Sequence, residues 1–308
     1  MNKHIAVTGA TGFVGQHLLC QLISKGYKVT ALTRRPQKPI ENVHWILGDF
    51  ESASSLRELV QDADVVINVA GLVKAPNLDD FQKANSIAVD ALMNAIKSAN
   101  KIPYFIQISS LTAREPTISD YARSKFDGEE KVKNNNLNLN WTILRPPGIY
   151  GPKDTETLKI FNLIKWHLAL FPANRHHRVS WIHVFDLVKA ITFLIESNDH
   201  FSQIIEIDDG HEKGYSHEEF FKISSDIMGI SPLKITLPQC LLRFIGHTND
   251  ILGHIVDYVP MVSVKKTNEL CHSNWVVDKT KTIKGSEWRA EYDLQKGLKE
   301  TLDWYKNN

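Results

Sequence analysis

Cysteine is scarce: Cys20, Cys240 and Cys271 are scattered through 308 residues. Their odd number and wide spacing argue against a disulfide framework and fit a reducing compartment. No apolar run reaches the ~20 residues of a membrane span. An excess of one charge is also missing. The 36 Lys and Arg face 35 Asp and Glu, a formal net charge of +1, so nothing points to nucleic acid or to an acidic membrane surface. Repeats and low-complexity tracts are absent. A β-like run begins within three residues of Met1, leaving no room for a signal or transit peptide, and a cytoplasmic location is expected. No metal is expected either, because His183 and Asp186 lack cysteine or carboxylate partners at ligand spacing.

What is present starts at the first strand. His4-Ile5-Ala6-Val7-Thr8 is followed at once by Gly9-Ala10-Thr11-Gly12-Phe13-Val14-Gly15, and then by a helical stretch over Gln16 to Ile23. Strand, glycine turn, helix is the order that brings a pyrophosphate to a helix N-terminus. Gly9 permits the tight turn, Gly12 lets the backbone approach phosphates, and Gly15 lets helix and strand pack closely. An ordinary βα turn would need one glycine rather than three.

A second β run, Tyr27 to Thr33, ends in Arg34-Arg35. Dinucleotide folds often place Asp or Glu here to bind the ribose hydroxyls; this chain has Thr33. A carboxylate would repel a 2′-phosphate and guanidinium forks attract it, so NADP is preferred over NAD. The plain alternative is two solvated arginines. The third run, Val43 to Leu47, leads to Asp49 and Phe50, which could meet the adenine; Asp49 could equally cap the helix beginning near Ser52. The fourth, Asp64 to Val69, stops at the small residues Ala70 and Gly71, suited to a backbone passing beside a cofactor. The fifth, Tyr104 to Ile108, delivers Ser109 and Ser110 to the same sheet edge. Helical stretches alternate with these strands, among them one from about Asp80 to Asn100 carrying Asn85. The pattern predicts an α/β fold, a Rossmann-type doubly wound parallel sheet. The length suggests a smaller C-terminal α/β substrate domain beside it.

Tyr121 and Lys125 lie four residues apart on a predicted helix and share a face. A nearby ammonium favours the phenolate and lowers the tyrosine pKa toward general acid/base use. A serine at the end of the neighbouring strand could polarise a carbonyl oxygen.

Together these segments resemble the short-chain dehydrogenase/reductase superfamily, in particular its extended, epimerase/dehydratase-like branch. The motifs are Thr8 to Gly15, Asn68-Val69-Ala70-Gly71, Ser109-Ser110, Tyr121 to Lys125, Arg145-Pro146-Pro147-Gly148-Ile149-Tyr150-Gly151-Pro152 and Trp181 to Asp186, ordered over roughly the first 190 residues. The resemblance implies that Ser110, Tyr121 and Lys125 are the catalytic trio and Asn85 the relay asparagine, with Thr112 an outside candidate for the hydroxyl. It also implies that Lys125 binds the nicotinamide ribose while Pro146, Pro147 and Ile149 line the nicotinamide. In that light residues 1–150 plus about 179–200 form the dinucleotide-binding domain. Residues about 151–178 and 201–308 form the smaller, interleaved one.

Two departures from the family pattern bear on the branch. Gly148 stands where sugar-nucleotide enzymes commonly carry an asparagine, and Leu111-Thr112 where dehydratases carry Asp-Glu. The balance resembles dihydroflavonol-reductase-like and hydroxysteroid-dehydrogenase-like reductases. The expectation is an NADP-dependent oxidoreductase acting on a small-molecule carbonyl or alcohol. An NAD-retaining nucleotide-sugar epimerase or dehydratase and a non-catalytic dinucleotide-binding regulatory or assembly protein stay as alternatives. Homodimerisation through the helices of Asn85 and Tyr121 is a family habit; Asp127, Glu129, Glu130, Lys131 and Lys133 make the second helix polar, so a monomer is open too.

In the last third, Arg175-His176-His177-Arg178 is read as a solvated loop or a contact for an anionic group. Ser216 to Glu219 reads as a capping box, and Leu237 to Val259 as an apolar helical segment for core or pocket wall. Asp293 to Trp304 reads as a closing helix on Leu294, Leu298 and Leu302.

Overall fold

Short runs of β-branched and apolar residues, buried on both faces, build the centre of one sheet. The computed structural model describes residues 3–256 and 264–308. The first half runs β1 (His4–Thr8), α1 (Phe13–Ser24), β2 (Lys28–Thr33), β3 (Val43–Leu47), α2 (Ala53–Val60), β4 (Val65–Asn68) and α3 (Leu78–Gln82). It continues through a π-turn (Lys83–Ile87), α4 (Ala88–Ile96), β5 (Tyr104–Ile108), a 3₁₀ turn (Leu111–Arg114), α5 (Asp120–Lys133) and β6 (Trp141–Arg145). The second half opens with β7 (Gly148–Tyr150), α6 (Thr155–Lys165), β8 (Leu168–Pro172), β9 (Arg178–Val179), β10 (Trp181–His183), α7 (Val184–Glu196) and β11 (Gln203–Glu206). It closes with β12 (Tyr215–Ser216), α8 (His217–Met228), β13 (Leu233–Leu237), α9 (Gln239–Val256), α10 (Val264–Leu270), β14 (Asn274–Trp275), a 3₁₀ turn (Lys279–Lys281) and α11 (Leu294–Asn307).

The main sheet has seven parallel strands in the order β11-β6-β5-β4-β1-β2-β3. The order reverses between β1 and β4, and an open α/β sheet offers its ligand site at the carboxyl ends flanking that switch point. Helices cover both faces. Leu18 and Leu22 of α1 join Leu187, Ile191 and Leu194 of α7 on one side. Leu56 and Leu59 of α2, Leu92 and Ile96 of α4 and Val132 of α5 pack on the other. A separate core unites Tyr150, Phe161, Tyr215 and Phe220 with Leu294, Leu298 and Leu302 of α11, so the closing helix does what its spacing predicts. Ser216 and Glu219 form the expected reciprocal capping box on α8.

Three expectations are corrected. Residues 201–308 are expected in the smaller domain, yet Gln203–Glu206 is the seventh strand of the main sheet, paired with β6. Ile205 enters the main core there, and the ladder supplies partners that the edge of β6 would otherwise lack. The single helix over Asp80 to Asn100 is interrupted by the π-turn around Asn85. Glu129 is not a surface charge: it is fully buried against Arg145, with Nε at 2.8 Å from Oε1 and Nη2 at 2.5 Å from Oε2. In the apolar segment, Leu242 is buried while Leu241 and Phe244 are exposed. The side chains of Asp250, Ile251, Leu252 and Ile255 and all of Asp257 to Val259 lie outside the described residues. Among the described residues no helix is long and apolar enough to cross a membrane.

Candidate active site

The floor of the site is the turn after β1. Gly9 has φ +71°, and a Cβ on it would lie 2.6 Å from the Ala70 amide nitrogen. A Cβ on Gly15 would lie 2.0 Å from the Gly9 carbonyl oxygen. Thus two of the three glycines are required by backbone meeting backbone. Gly12 takes the N-cap position of α1 with no side-chain cap, followed by Phe13 and Val14 in the first turn. The first amides of α1 therefore have no side-chain acceptor and present the partial positive end of the helix dipole, with Thr11 beside them. Behind the turn a buried polar ladder joins the strand ends. Thr8 Oγ1 donates to Asn68 Oδ1 (2.5 Å), and Asn68 Nδ2 to Gln107 Oε1 (2.8 Å). This cradle fits a dinucleotide pyrophosphate.

At the end of β2, the buried Thr33 hydroxyl donates to Arg35 O at 2.8 Å. Arg34 and Arg35 are exposed and make no ion pair among the described residues. Asp49 Oδ1 accepts from the amides of Glu51 and Ser52 at 2.9 and 3.1 Å, while Ser52 itself caps α2. Phe50 packs partly into the α2-side core.

The chemistry-bearing residues converge at the ends of β4, β5 and β6. Ser109 is consumed: buried, it donates to Glu129 Oε1 at 2.5 Å. Ser110 faces the other way, caps the turn Leu111–Arg114, accepts from Thr112 Oγ1 at 2.9 Å and hydrogen-bonds Tyr121. Lys125 Nζ donates to Ile108 O at 2.9 Å. Asn85 is 2 % exposed; its Nδ2 donates to Leu72 O (3.0 Å) and Ser124 Oγ (2.9 Å), and its Oδ1 accepts from Leu72 N (2.9 Å). It pins the strand exit after Val69 and Ala70. A Cβ on Gly71 would stand 2.7 Å from Asn85 Oδ1 and 3.3 Å from Lys125 Nζ, so only glycine lets the backbone pass there. Pro146 closes the far side, its carbonyl accepting from Leu111 N at 2.9 Å, and the half-buried Pro147 and Ile149 follow.

The electrostatics differ from the expectation. Tyr121 is not lowered by Lys125; burial pushes its phenol up to about 12, against the Ser110 hydrogen bond and with a further push from Glu269. Lys125 is pushed down to about 8 by burial, with Glu129 opposing. Both shifts have one cause: a charged form in a poorly solvated place is disfavoured.

Sequence reasoning missed Glu129 and Glu269. A signal for Glu129 existed, because Tyr121, Lys125 and Glu129 continue one i, i+4 stripe along α5. Glu269 comes from a helix about 150 residues away and left no local trace. Arg175 and Arg178 are tied down, Arg175 to Glu218 at 3.5 Å and Arg178 to Glu219 at 3.2 Å. Asp186 accepts from the amides of Glu291 and Tyr292 at 3.1 and 2.9 Å, an architectural role.

The comparisons agree with this fold. The profile of the NAD dependent epimerase/dehydratase family matches residues 5–207. The chain is 33% identical over 306 residues to a ceramide reductase of Caulobacter vibrioides (strain NA1000 / CB15N), covering 98% of this chain and 94% of the relative. Among solved structures, MoeE5 in complex with UDP-glucuronic acid and NAD superimposes with a TM-score of 0.75 at 20% identity, over 99% of both chains. Human epimerase family protein SDR39U1 (isoform2) with NADPH gives 0.76 at 17% identity, over 97% of this chain and 99% of the other. The chain belongs to the NAD dependent epimerase/dehydratase family. It is an NAD(P)-dependent enzyme of the short-chain dehydrogenase/reductase type.

Proposed function

We propose that this enzyme is an NADP-dependent reductase of a ketone carried on an N-acylated, long-chain amino alcohol, a ceramide-type lipid. The pairing of Ser110 with Tyr121, and of Asn85 and Lys125 beside Gly71, carries the reductase reading. The lipid class rests on the resemblance to the Caulobacter ceramide reductase. It has support in the exposed Leu241 and Phe244 and half-buried Ile245, which share one side of α9 at i, i+3, i+4 spacing.

A bound nicotinamide supplies hydride chemistry. The Gly9–Gly15 turn holds the pyrophosphate, and Arg34 and Arg35 offer guanidinium forks to a 2′-phosphate, the ground for NADP over NAD. Asp49 and Phe50 would meet the adenine, and Pro146, Pro147 and Ile149 would line the nicotinamide. Ser110 orients the substrate carbonyl oxygen by donating to it. Tyr121, kept protonated by burial, hands its phenolic proton to that oxygen as negative charge builds there. Lys125 approaches the ribose and stabilises the phenolate that results, and Asn85 fixes the strand exit and the relay. Thr112 donates to Ser110 and orients its hydroxyl rather than replacing it. The nucleotide-sugar reading is disfavoured by Gly148: a Cβ there would lie 2.5 Å from the Trp181 ring, so no asparagine side chain fits.

The test is NADPH consumption against ketones that include 3-keto ceramides of several chain lengths, with NADH in parallel. Turnover with NADPH that falls about a hundred- to ten-thousand-fold in Tyr121→Phe is expected. Turnover on a UDP-sugar without net coenzyme consumption would instead establish the epimerase. Tight NADPH binding with no turnover on any substrate would establish a non-catalytic role.

A further inference from the structure

Four consecutive residues open the helix that carries Tyr121, and each is gripped by α10. Asn268 Nδ2 donates to Ile118 O at 3.5 Å. Ser119 Oγ donates to Glu269 Oε1. Lys265 Nζ meets Asp120 Oδ1 at 2.6 Å. Lys266 Nζ lies 5.7 Å from the centre of the Tyr121 ring and 2.5 Å from Glu269 Oε2. The grip continues along the chain. His272 reaches Glu115 at 3.2 Å, and Arg114 donates to Asn274 O and Val276 O at 3.1 and 3.0 Å. Trp275 Nε1 in turn donates to Glu269 O at 2.9 Å.

Glu269 is the centre of this arrangement. It is 6 % exposed, and its two oxygens take the Ser119 hydroxyl and the Lys266 ammonium. Ser119 is the N-cap of α5 and accepts from Ala122 N at 3.0 Å. A carboxylate at that place is favoured by the helix dipole and orients the capping hydroxyl.

We propose that Glu269 is a positioning residue of the site: through Ser119 and Lys266 it holds the first turn of α5 and the Tyr121 ring, coupling the proton donor to the helix of the second half. The proposal rests on Tyr121 being the proton donor. Among the described residues, Lys266 and Glu269 of α10 face Tyr121, beside the paired Asp120 and Lys265, with Lys125 one turn further along its own helix; Phe81 packs on the ring from α3. Glu269 disfavours the phenolate. Removing its charge while keeping its shape takes away that push against the phenolate, so phenolate forms at lower pH. Removing Lys266 acts in the opposite sense.

The test uses the full chain labelled with ¹³Cζ-tyrosine, the Tyr121 resonance being assigned with Tyr121→Phe. At the highest pH at which circular dichroism still shows the fold, Glu269→Gln should carry several times more phenolate at Tyr121 than wild type, a shift of about one pH unit. Lys266→Met should carry less. In the NADPH assay, the alkaline limb of kcat/KM should move to lower pH in Glu269→Gln with the KM for NADPH unchanged. Equal phenolate fractions in the three proteins would overturn the coupling; if Glu269→Gln fails to fold, wild type against Lys266→Met decides alone. A moved resonance without carbonyl turnover would sink the reductase reading and leave the coupling standing. Turnover with an unmoved resonance would do the reverse.

Discussion

Gly9, Gly15 and Gly71 secure one wall of the site by having no side chain, whereas Arg114, Lys265 and Glu269 secure the opposite wall by having long ones. On the first wall backbone packs on backbone, and the tolerance is a few tenths of an ångström. The second wall is a set of hydrogen bonds and ion pairs joining residues 114–121 to residues 265–276, and side chains can rearrange without moving a strand. The lesson is that the glycine wall is specified by steric exclusion and the wall facing it by electrostatic complementarity. The two therefore answer differently to mutation, pH and salt.

The largest effect should come from the buried pair behind the wall of glycines. Glu129→Ala leaves Arg145 buried beside Glu206 with its main partner gone, and should cost about 3–5 kcal/mol in urea unfolding. A loss below about 1 kcal/mol would show that the pair is solvated in solution. Next, Gly15→Ala forces a Cβ onto the Gly9 carbonyl and should cost about 1–3 kcal/mol. Calorimetric titration with NADPH should show no binding; retained binding would break the claim that steric exclusion rules that wall. Third, Ser119→Ala removes a cap and should cost about 1 kcal/mol, with a loss that grows little in high salt because the hydroxyl is neutral.

Fourth comes a pH effect. Lys125 sits near 8 in the fold against its ordinary 10.5. The unfolded chain holds that proton more tightly, so the buried ammonium destabilises below pH 8, and the penalty is relieved as pH rises from about 8 toward 10.5. The stability gap between wild type and Lys125→Met, measured by urea unfolding, should therefore shift in favour of wild type across that window. Smallest in stability is the double change Arg34→Ala and Arg35→Ala. It should leave the melting temperature alone and raise the KM for NADPH about tenfold while leaving NADH untouched, tenfold being about 1.4 kcal/mol of lost phosphate contact.

How much of this was legible in the chain follows the same division. Strands β1 to β5 and the glycine turn could be read because each is a local pattern: a short apolar run, a glycine at a forced approach, a cap. Ser110, Tyr121, Lys125 and Asn85 could be placed because their motifs have fixed order. Gln203–Glu206 could not be assigned to the sheet, since two isoleucines between Gln203 and Glu206 carry no mark of their neighbour. The raised Tyr121 pKa was also out of reach, because desolvation depends on everything packed around the ring, including Glu269 from the other end of the chain. The π-turn had no composition signal; α5 approaches it closely at Gly128, where a Cβ would lie 2.1 Å from the Asn85 carbonyl oxygen.

That turn has a consequence for phase. An extra residue per turn rotates everything after it by about 100° relative to an unbroken α-helix. Upstream, Phe81 is aimed at Tyr121, with ring centres 5.9 Å apart; downstream, Val89, Leu92 and Ile96 are aimed at the sheet. One continuous rod thus serves two directions that a regular helix could not serve together. Excising a single residue between Lys83 and Ile87 would bring the two halves back into step, leaving the sheet-facing stripe intact while turning Phe81 and Asn85 away from the strand ends they attend.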